Sequence, residues 1–298
     1  MFITLYILYI EVALLKNFIS CVIVTYNTDK SILKVIESLE NQVSKIIIVD
    51  NGSSESTKEI FNKNFDKDSI DIIYNGSNLG IAKALNIGVN QALKYNSDWI
   101  LTLDHDSILD NNMINNMMSF YDSLSLIEKE KVSVLAPEIL DVSINKSYYK
   151  VEDDSKYKDV NHVIQSGALI KSEVFIDGLF FNEELFIYFV DLEFCYDIRE
   201  KGNRIVMVKG ANLYHEEGEK ERRTFLGLKY TYDNYSIFAI YYITRNAVYM
   251  FKKYKKLEFI KRIVYDFIKI LLSEPKKLKY MFSGIVDAVL GKYGKKFN

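Results

Sequence analysis

Runs of apolar, largely β-branched residues alternate with amphipathic stretches along the first hundred residues. Ile19–Thr25, Lys45–Asp50, Ile70–Tyr74 and residues 99–103 read as strands. Residues 31–39 and 81–95 carry apolar positions at helical spacing, and residues 54–59 offer capping chemistry for another helix. Continuously apolar strands separated by helices predict a parallel sheet covered on both faces. In such a sheet the ligand sits outside the carboxyl ends of the strands. The loops at those ends are Thr25-Tyr26-Asn27, Asp50-Asn51-Gly52-Ser53-Ser54, Asn75-Gly76-Ser77-Asn78-Leu79-Gly80 and Asp104-His105-Asp106. All four are polar or turn-forming, so they are expected to converge on one rim.

Further along, residues 204–209 read as a strand. Beyond Tyr230 the character changes: Leu257, Ile260, Ile263, Val264, Phe267 and Leu271 recur at helical spacing, with Lys256, Lys261, Arg262 and Lys269 on other faces. Asp266 and Lys269 make this amphipathic helix a poor membrane span; it suits packing against the body or lying in a lipid interface. Residues 1–10 are apolar but too short to span a bilayer, with no basic flank or cleavage signal. An extra strand, a membrane-touching segment and an overlong start all remain open for them.

The net charge of −2 hides an asymmetry. From Arg245 onward there are 14 Lys and Arg against 4 Asp and Glu, a surplus of +10 that leaves −12 for residues 1–244. A near-neutral to acidic body with a basic tail directs that tail at something anionic. No recognition motif accompanies the charge, which argues against nucleic acid. The 22 Tyr and 18 Phe suit a surface that meets sugars or a membrane, and core packing explains them equally well. Cys21 and Cys195 sit in apolar contexts and read as buried free thiols, without zinc-site spacing.

Chemistry concentrates in Asp104-His105-Asp106, which closes the fourth strand. If strand geometry persists, the two acids point the same way and can share a hard divalent cation. Among 20 Asp in 298 residues roughly one Asp-x-Asp arises by chance. Asp66-Lys67-Asp68 is such a copy in a polar linker, and strand-end position separates the two. His105 is expected on the opposite face, without a catalytic role. Asp50 suits a base N–H or an ordinary turn; Gly52 and Ser53 supply backbone N–H groups and a hydroxyl. Gly80 and Ala82 would let a ligand approach, with Asn86 two turns on. Neither Gly-x-Gly-x-x-Gly nor a Walker phosphate loop is present. Asp191 follows five apolar or aromatic residues, a setting that raises proton affinity, and also suits a helix N-cap.

Val24-Thr25-Tyr26-Asn27, Val49-Asp50-Asn51-Gly52-Ser53-Ser54, Asn78-Leu79-Gly80-Ile81-Ala82 and Leu103-Asp104-His105-Asp106-Ser107 resemble, in order and spacing, the motifs of family 2 inverting glycosyltransferases, bacterial rhamnosyltransferases above all. The resemblance implies the α/β GT-A fold: a Rossmann-like, mostly parallel sheet flanked by helices, here with a C-terminal helical extension. It implies a nucleoside-diphosphate sugar donor, dTDP-rhamnose ahead of UDP-hexoses and galactofuranose, and Mg²⁺ or Mn²⁺. Thr25, Tyr26, Asn27, Asp50, Gly52, Ser53, Asn78, Gly80, Ala82, Asn86 and Asp104 are then the donor residues. Asp104, Asp106 and His215 would hold metal. Gln165-Ser166-Gly167 resembles the acceptor-side strand, with Gly167 permitting close approach. Asp191 would be the general base, with Glu193 its rival, and Tyr241-Tyr242-Ile243-Thr244-Arg245-Asn246 resembles a rhamnosyltransferase segment. Residues 1–17 form an apolar segment, 18–220 the catalytic domain and 221–298 the basic extension. A glycan acceptor, lipid-linked, and an anionic membrane on its cytoplasmic face complete the expectation. A nucleotidyltransferase and a non-catalytic sugar-nucleotide-binding module are the rivals from other classes.

Overall fold

The structure, a computed structural model, describes residues 17–65, 70–141, 146–152, 154–215, 221–225, 228–232 and 235–297. Residues 1–16, the Asp66-Lys67-Asp68 copy and the segment just after His215 lie outside the described residues. The chain begins β1 (Ile19–Thr25), α1 (Ile32–Leu39), β2 (Lys45–Asp50), α2 (Glu55–Asn64), β3 (Ile70–Tyr74), α3 (Ile81–Lys94) and β4 (Trp99–Asp104). It continues through β5 (Ile108–Leu109), α4 (Met113–Asp122), α5 (Leu126–Lys131), β6 (Val132–Asp141), β7 (Lys146–Tyr149), β8 (Tyr157–Val160), β9 (Ala168–Lys171) and α6 (Ser172–Ile176). Then follow α7 (Val190–Glu200), β10 (Arg204–His215), the hairpin β11 (Glu221–Phe225) and β12 (Leu228–Tyr232), and the helices α8 (Ile237–Tyr254), α9 (Leu257–Ser273) and α10 (Leu278–Val289).

The main sheet runs β3-β2-β1-β4-β9-β6-β10-β5. Its first four strands are parallel, with Thr25 beside Asp50, Asp50 beside Tyr74 and Val24 beside Asp104. The polar loops therefore leave the sheet along one edge, as their sequence positions predicted. Only β9 reverses direction between β4 and β6; β6 and β10 are again parallel. The sheet is thus mixed but mostly parallel.

All seven residues of β1 are buried because both faces are covered. Val22 and Val24 pack towards Leu85 and Val89 of α3, whereas Cys21 and Ile23 pack towards Val35 and Leu39 of α1. Period-two alternation within one apolar strand thus feeds two cores. Cys21 and Cys195 are free and buried, and burial pushes both thiols up. Ser54 occupies the N-cap of α2 but makes no side-chain cap bond. Strand β10 extends six residues past the expected Lys209, because a bulge around Gly210 (φ +75°) lets pairing with β6 resume at Asn212. His215 consequently ends a strand rather than following one.

Candidate active site

The first rim is built by the loops after β1 and β2. Asp50 is fully buried and accepts the Ser53 N–H at 3.1 Å and the Thr25 hydroxyl at 3.4 Å. Asn27 donates its N–H to Ser53 Oγ at 2.8 Å, and its Oδ1 accepts the Ser54 N–H at 2.9 Å, tying the first loop to the entry of α2. Gly52 adopts φ +88°, and a Cβ there would lie 2.4 Å from the Ser77 carbonyl carbon. Asn27, Asp50, Gly52 and Ser53 therefore shape the rim from behind, and only Thr25 and Tyr26 of these two loops' expected residues face the cavity.

That cavity measures about 330 Å³, the size of a small-molecule site. Its polar side is formed by Thr25, Tyr26, Asn51, Asn78, Gly80, Asp104, His105 and Asp106, and its apolar side by Val24, Ile81, Phe186, Ile187 and Phe238. Asn51 stands out: Nδ2 donates to Asn78 Oδ1 at 3.1 Å, and Oδ1 accepts the Leu79 N–H at 3.0 Å. It pins the third loop to the second. Its loop had been singled out, but the side chain itself had not.

Four expectations change here. Gly80 does border the cavity, but its φ of +89° and the Phe186 ring, 2.6 Å from a built Cβ, explain why it is glycine. Ala82 lies wholly inside the core. Asn86 is likewise turned inward: it donates to the Phe181 carbonyl at 2.8 Å and accepts the Phe181 N–H at 3.0 Å, splinting α3 to the segment before α7. His105, expected to face away, lines the cavity because β4 ends at Asp104 and a turn carries the next residues, so strand alternation no longer applies.

The same turn, rather than a continuing strand, brings the acids together. Ligand atoms of Asp104, Asp106 and His215 lie within 4.8 Å of one another. His215 Nδ1 stands 2.9 Å from Ser107 Oγ and 3.7 Å from Asp106 Oδ1. Burial, then the neighbouring Asp106, pushes the Asp104 carboxyl up to about 6, while His215 opposes the shift. Gln165 donates its side-chain amide to Asp104, and its own Oε1 is buried without a partner. Two carboxylates and an imidazole suit a divalent cation of intermediate hardness. Gly167 is small for another reason than ligand approach: a Cβ would meet Pro137 and Leu213 at 2.7 and 2.9 Å.

Asp191 is the second residue of α7, whose N-cap position falls to Phe189. It is half-buried, accepts the Leu192 N–H at 2.8 Å, and burial raises its pKa against that bond and one from the Gln165 backbone. Gln165 thus donates to Asp104 and, with Asp191, lines a small pocket beside the cavity rather than the cavity itself. Glu193 points elsewhere: it is buried against α8, 2.7 Å from Lys253 Nζ and 3.1 Å from Asn182 Nδ2. Two residues along an α-helix rotate a side chain by about 200°, so the two acids leave α7 on opposite faces, and Glu193 is spent in an ion pair.

Residues 20–179 match glycosyl transferase family 2. The chain belongs to that family and is a glycosyltransferase. Among curated proteins it is 28% identical to the dTDP-rhamnosyl transferase RfbF of Shigella flexneri over 92% of this chain and 95% of that one. Among solved structures it resembles the Pyrobaculum calidifontis mannosyltransferase PcManGT in complex with GDP-Man and Mn²⁺, with a TM-score of 0.56, 13% identity and coverage of 96% and 82%. It also resembles S. aureus TarS 1-349 in complex with UDP-GlcNAc, at a TM-score of 0.53 and 19% identity, covering 78% of this chain and 66% of that one. The fold is GT-A: a mostly parallel mixed sheet flanked by helices with a helical C-terminal region.

Proposed function

We propose that this chain is a metal-dependent, inverting glycosyltransferase that moves rhamnose from a nucleoside-diphosphate donor to a lipid-linked glycan in bacterial surface polysaccharide synthesis. The observation that carries the reading is the meeting of Asp104, Asp106 and His215 at a cavity whose opposite rim is polar, with half-buried Asp191 joined to Asp104 through Gln165.

In this reading Thr25, Tyr26, Asn51 and Asn78 hold the nucleoside side, with Tyr26 exposed for stacking. Asp104, Asp106 and His215 would hold Mg²⁺ or Mn²⁺, which supplies positive charge for a diphosphate leaving group. Asp191 removes the proton of the acceptor hydroxyl, whose oxygen forms the new bond to the anomeric carbon. The bond from that carbon to the diphosphate oxygen breaks, and a single displacement inverts the centre. The apolar wall of Phe186, Ile187 and Phe238 favours a 6-deoxy sugar, because a methyl group meets it without stranding a hydroxyl. The Shigella relative, a dTDP-rhamnosyl transferase, agrees with that choice.

In this reading residues 18–220 supply the metal-binding and catalytic side chains, Phe238 from the C-terminal helices completes the cavity wall, and residues 221–298 also dock the protein on the inner, anionic face of the cell membrane. No helix among the described residues is long and apolar enough to cross a membrane. The deciding experiment is a panel of dTDP-rhamnose, UDP-galactofuranose, UDP-glucose and UDP-GlcNAc assayed for hydrolysis and transfer, with and without EDTA. Rhamnosyl transfer lost to EDTA and restored by Mn²⁺ supports the reading. A preference for a UDP-hexose overturns the donor, and pyrophosphate release or binding without turnover overturns the class.

A further inference from the structure

The backbone of residues 185–189 is strained, and none of its unusual positions is glycine. Phe186 has φ +63° and ψ −58°, with the Ile187 N–H donating to the Leu185 carbonyl at 2.7 Å, a three-residue turn of the rare positive-φ kind. Tyr188 and Phe189 follow at φ +62° and +65°. Bulky side chains rarely adopt this region, and such conformations persist only where surrounding contacts over-determine them. The turn also stands where the site needs it. Phe186 and Ile187 form part of the cavity wall, and Phe189 opens the helix that carries Asp191.

What holds the turn comes from the C-terminal helices. Asn246, fully buried on α8, holds Nδ2 3.0, 2.7 and 2.9 Å from the carbonyls of Leu185, Ile187 and Tyr188, its two N–H groups shared among the three. Arg245, also buried, donates through Nη2 to the carbonyls of Glu184 and Leu185 at 3.0 and 2.8 Å, and through Nη1 to Gly294 at 2.6 Å. Its Nε donates to Asn246 Oδ1 at 3.0 Å, which turns the Asn246 amide N–H groups towards the loop. The guanidinium lies 4.7 Å from the Tyr242 ring, and Tyr242 stacks on Phe186 at 5.2 Å. A buried cation is costly, and this one directs these bonds at neutral oxygens, two of them the Glu184 and Leu185 carbonyls at the entry to the turn. Neutral acceptors fix geometry without cancelling charge, the pattern of a clamp.

We propose that Arg245 and Asn246 are positioning residues that hold the 185–189 turn in its strained form, fixing the sugar-side wall of the donor cavity and the start of the Asp191 helix together. The inference rests on the glycosyltransferase reading for its kinetic consequence and on geometry alone for its structural one. On this account the C-terminal region completes the active site as well as following it.

The test compares full-length wild type with Asn246→Ala and Arg245→Lys, the latter keeping charge but losing the planar fork. Amide hydrogen exchange across residues 185–191 is expected to quicken by roughly tenfold or more, with β1 and β2 unchanged. The kcat for transfer is expected to fall on the order of tenfold to a hundredfold, with dTDP affinity in Mn²⁺ held within about threefold. Unchanged exchange at residues 185–191 overturns the proposal. So does exchange that rises evenly along the chain with kcat falling in step, because that is a purely structural role. Should Asn246→Ala fail to fold, Arg245→Lys decides by the same two readouts. A wild type that turns over no donor overturns the transferase reading, and the exchange result then decides the clamp by itself.

Discussion

Asp191 and Glu193 are two residues apart, and their surroundings assign them different work. Burial raises the Asp191 pKa, so its carboxylate forms only above the usual carboxylate range. In its proposed role of general base Asp191 works as the carboxylate, so the acid limb of the transfer rate should lie above that range, with activity lost as pH falls through it. Asp191→Asn should lower transfer by roughly 10²–10⁴-fold while leaving dTDP binding intact. Stability moves the other way. A folded pKa above the unfolded one means stability falls as pH rises from the unfolded towards the folded value. Asp191→Asn should therefore melt above wild type at neutral pH, with the gap closing below the ordinary carboxylate range; a lower melting point at neutral pH would contradict burial as the cause. Glu193→Gln should leave the acid limb where it is, since that side chain is bound to Lys253 and Asn182. Retention of the limb in the first variant and its loss in the second would reverse the assignment. His215→Ala should raise the Mn²⁺ concentration for half-maximal activity by at least about tenfold; an unchanged requirement would remove His215 from the metal site.

At the scale of elements, the junction between the third loop and α3 shows how one backbone angle ties the rim to the cavity wall. Gly80 adopts φ +89° and ψ 157°, a region nearly closed to other residues, and the next N–H, of Ile81, donates to the Phe186 carbonyl at 2.7 Å. Gly80→Ala should cost about 1–3 kcal/mol in chemical unfolding and raise the donor KM by displacing Phe186; a variant with wild-type stability and KM would show that the contact yields freely. This junction also marks where sequence reasoning stopped. The bounds of β1, β2 and β3 were legible because each is a continuous apolar run between turn residues. The convergence of four loops on one edge followed from parallel order. Phe186, Ile187 and Phe238 were not legible as cavity wall, because an aromatic run reads as core whichever side it faces. Ala82, at the start of the helix at the rim, and Asn86, further along it, read as ligand neighbours, yet helical rotation turns both inward. The end of β10 was missed because a bulge interrupts the alternation that marks a strand. His105 was misdirected because alternation was carried one residue past the strand.

For the whole molecule, the open question is what the C-terminal helices meet on their outer side. The apolar positions of α9 looked like one face in the sequence, but the structure divides them. Phe259, Ile263, Phe267 and Ile270 pack towards α8 and α10. Leu257, Val264, Ile268 and Leu271 stand outward, from 46% to 67% exposed, and α10 adds Phe282, Val286 and Val289. Phe267 meets Phe282 edge-on at 6.2 Å, so the two helices adjoin there. Exposed Lys255, Lys256, Lys261, Lys276 and Lys279 accompany this surface. Apolar side chains bracketed by lysines suit an anionic lipid interface, where each basic residue near the surface contributes about 1 kcal/mol. A second copy of the chain would bring like charges together and gains nothing from the lysines. The protein should therefore float with vesicles containing phosphatidylglycerol, less with pure phosphatidylcholine, and less as salt rises. Replacing Val264, Ile268 and Leu271 together by Ser should weaken flotation on anionic vesicles while leaving the melting point near wild type, because these side chains leave the inner core untouched. Equal flotation on both vesicle types, or a triple variant that floats like wild type, rules out the lipid surface; a concentration-dependent dimer that the triple variant abolishes identifies the second copy instead.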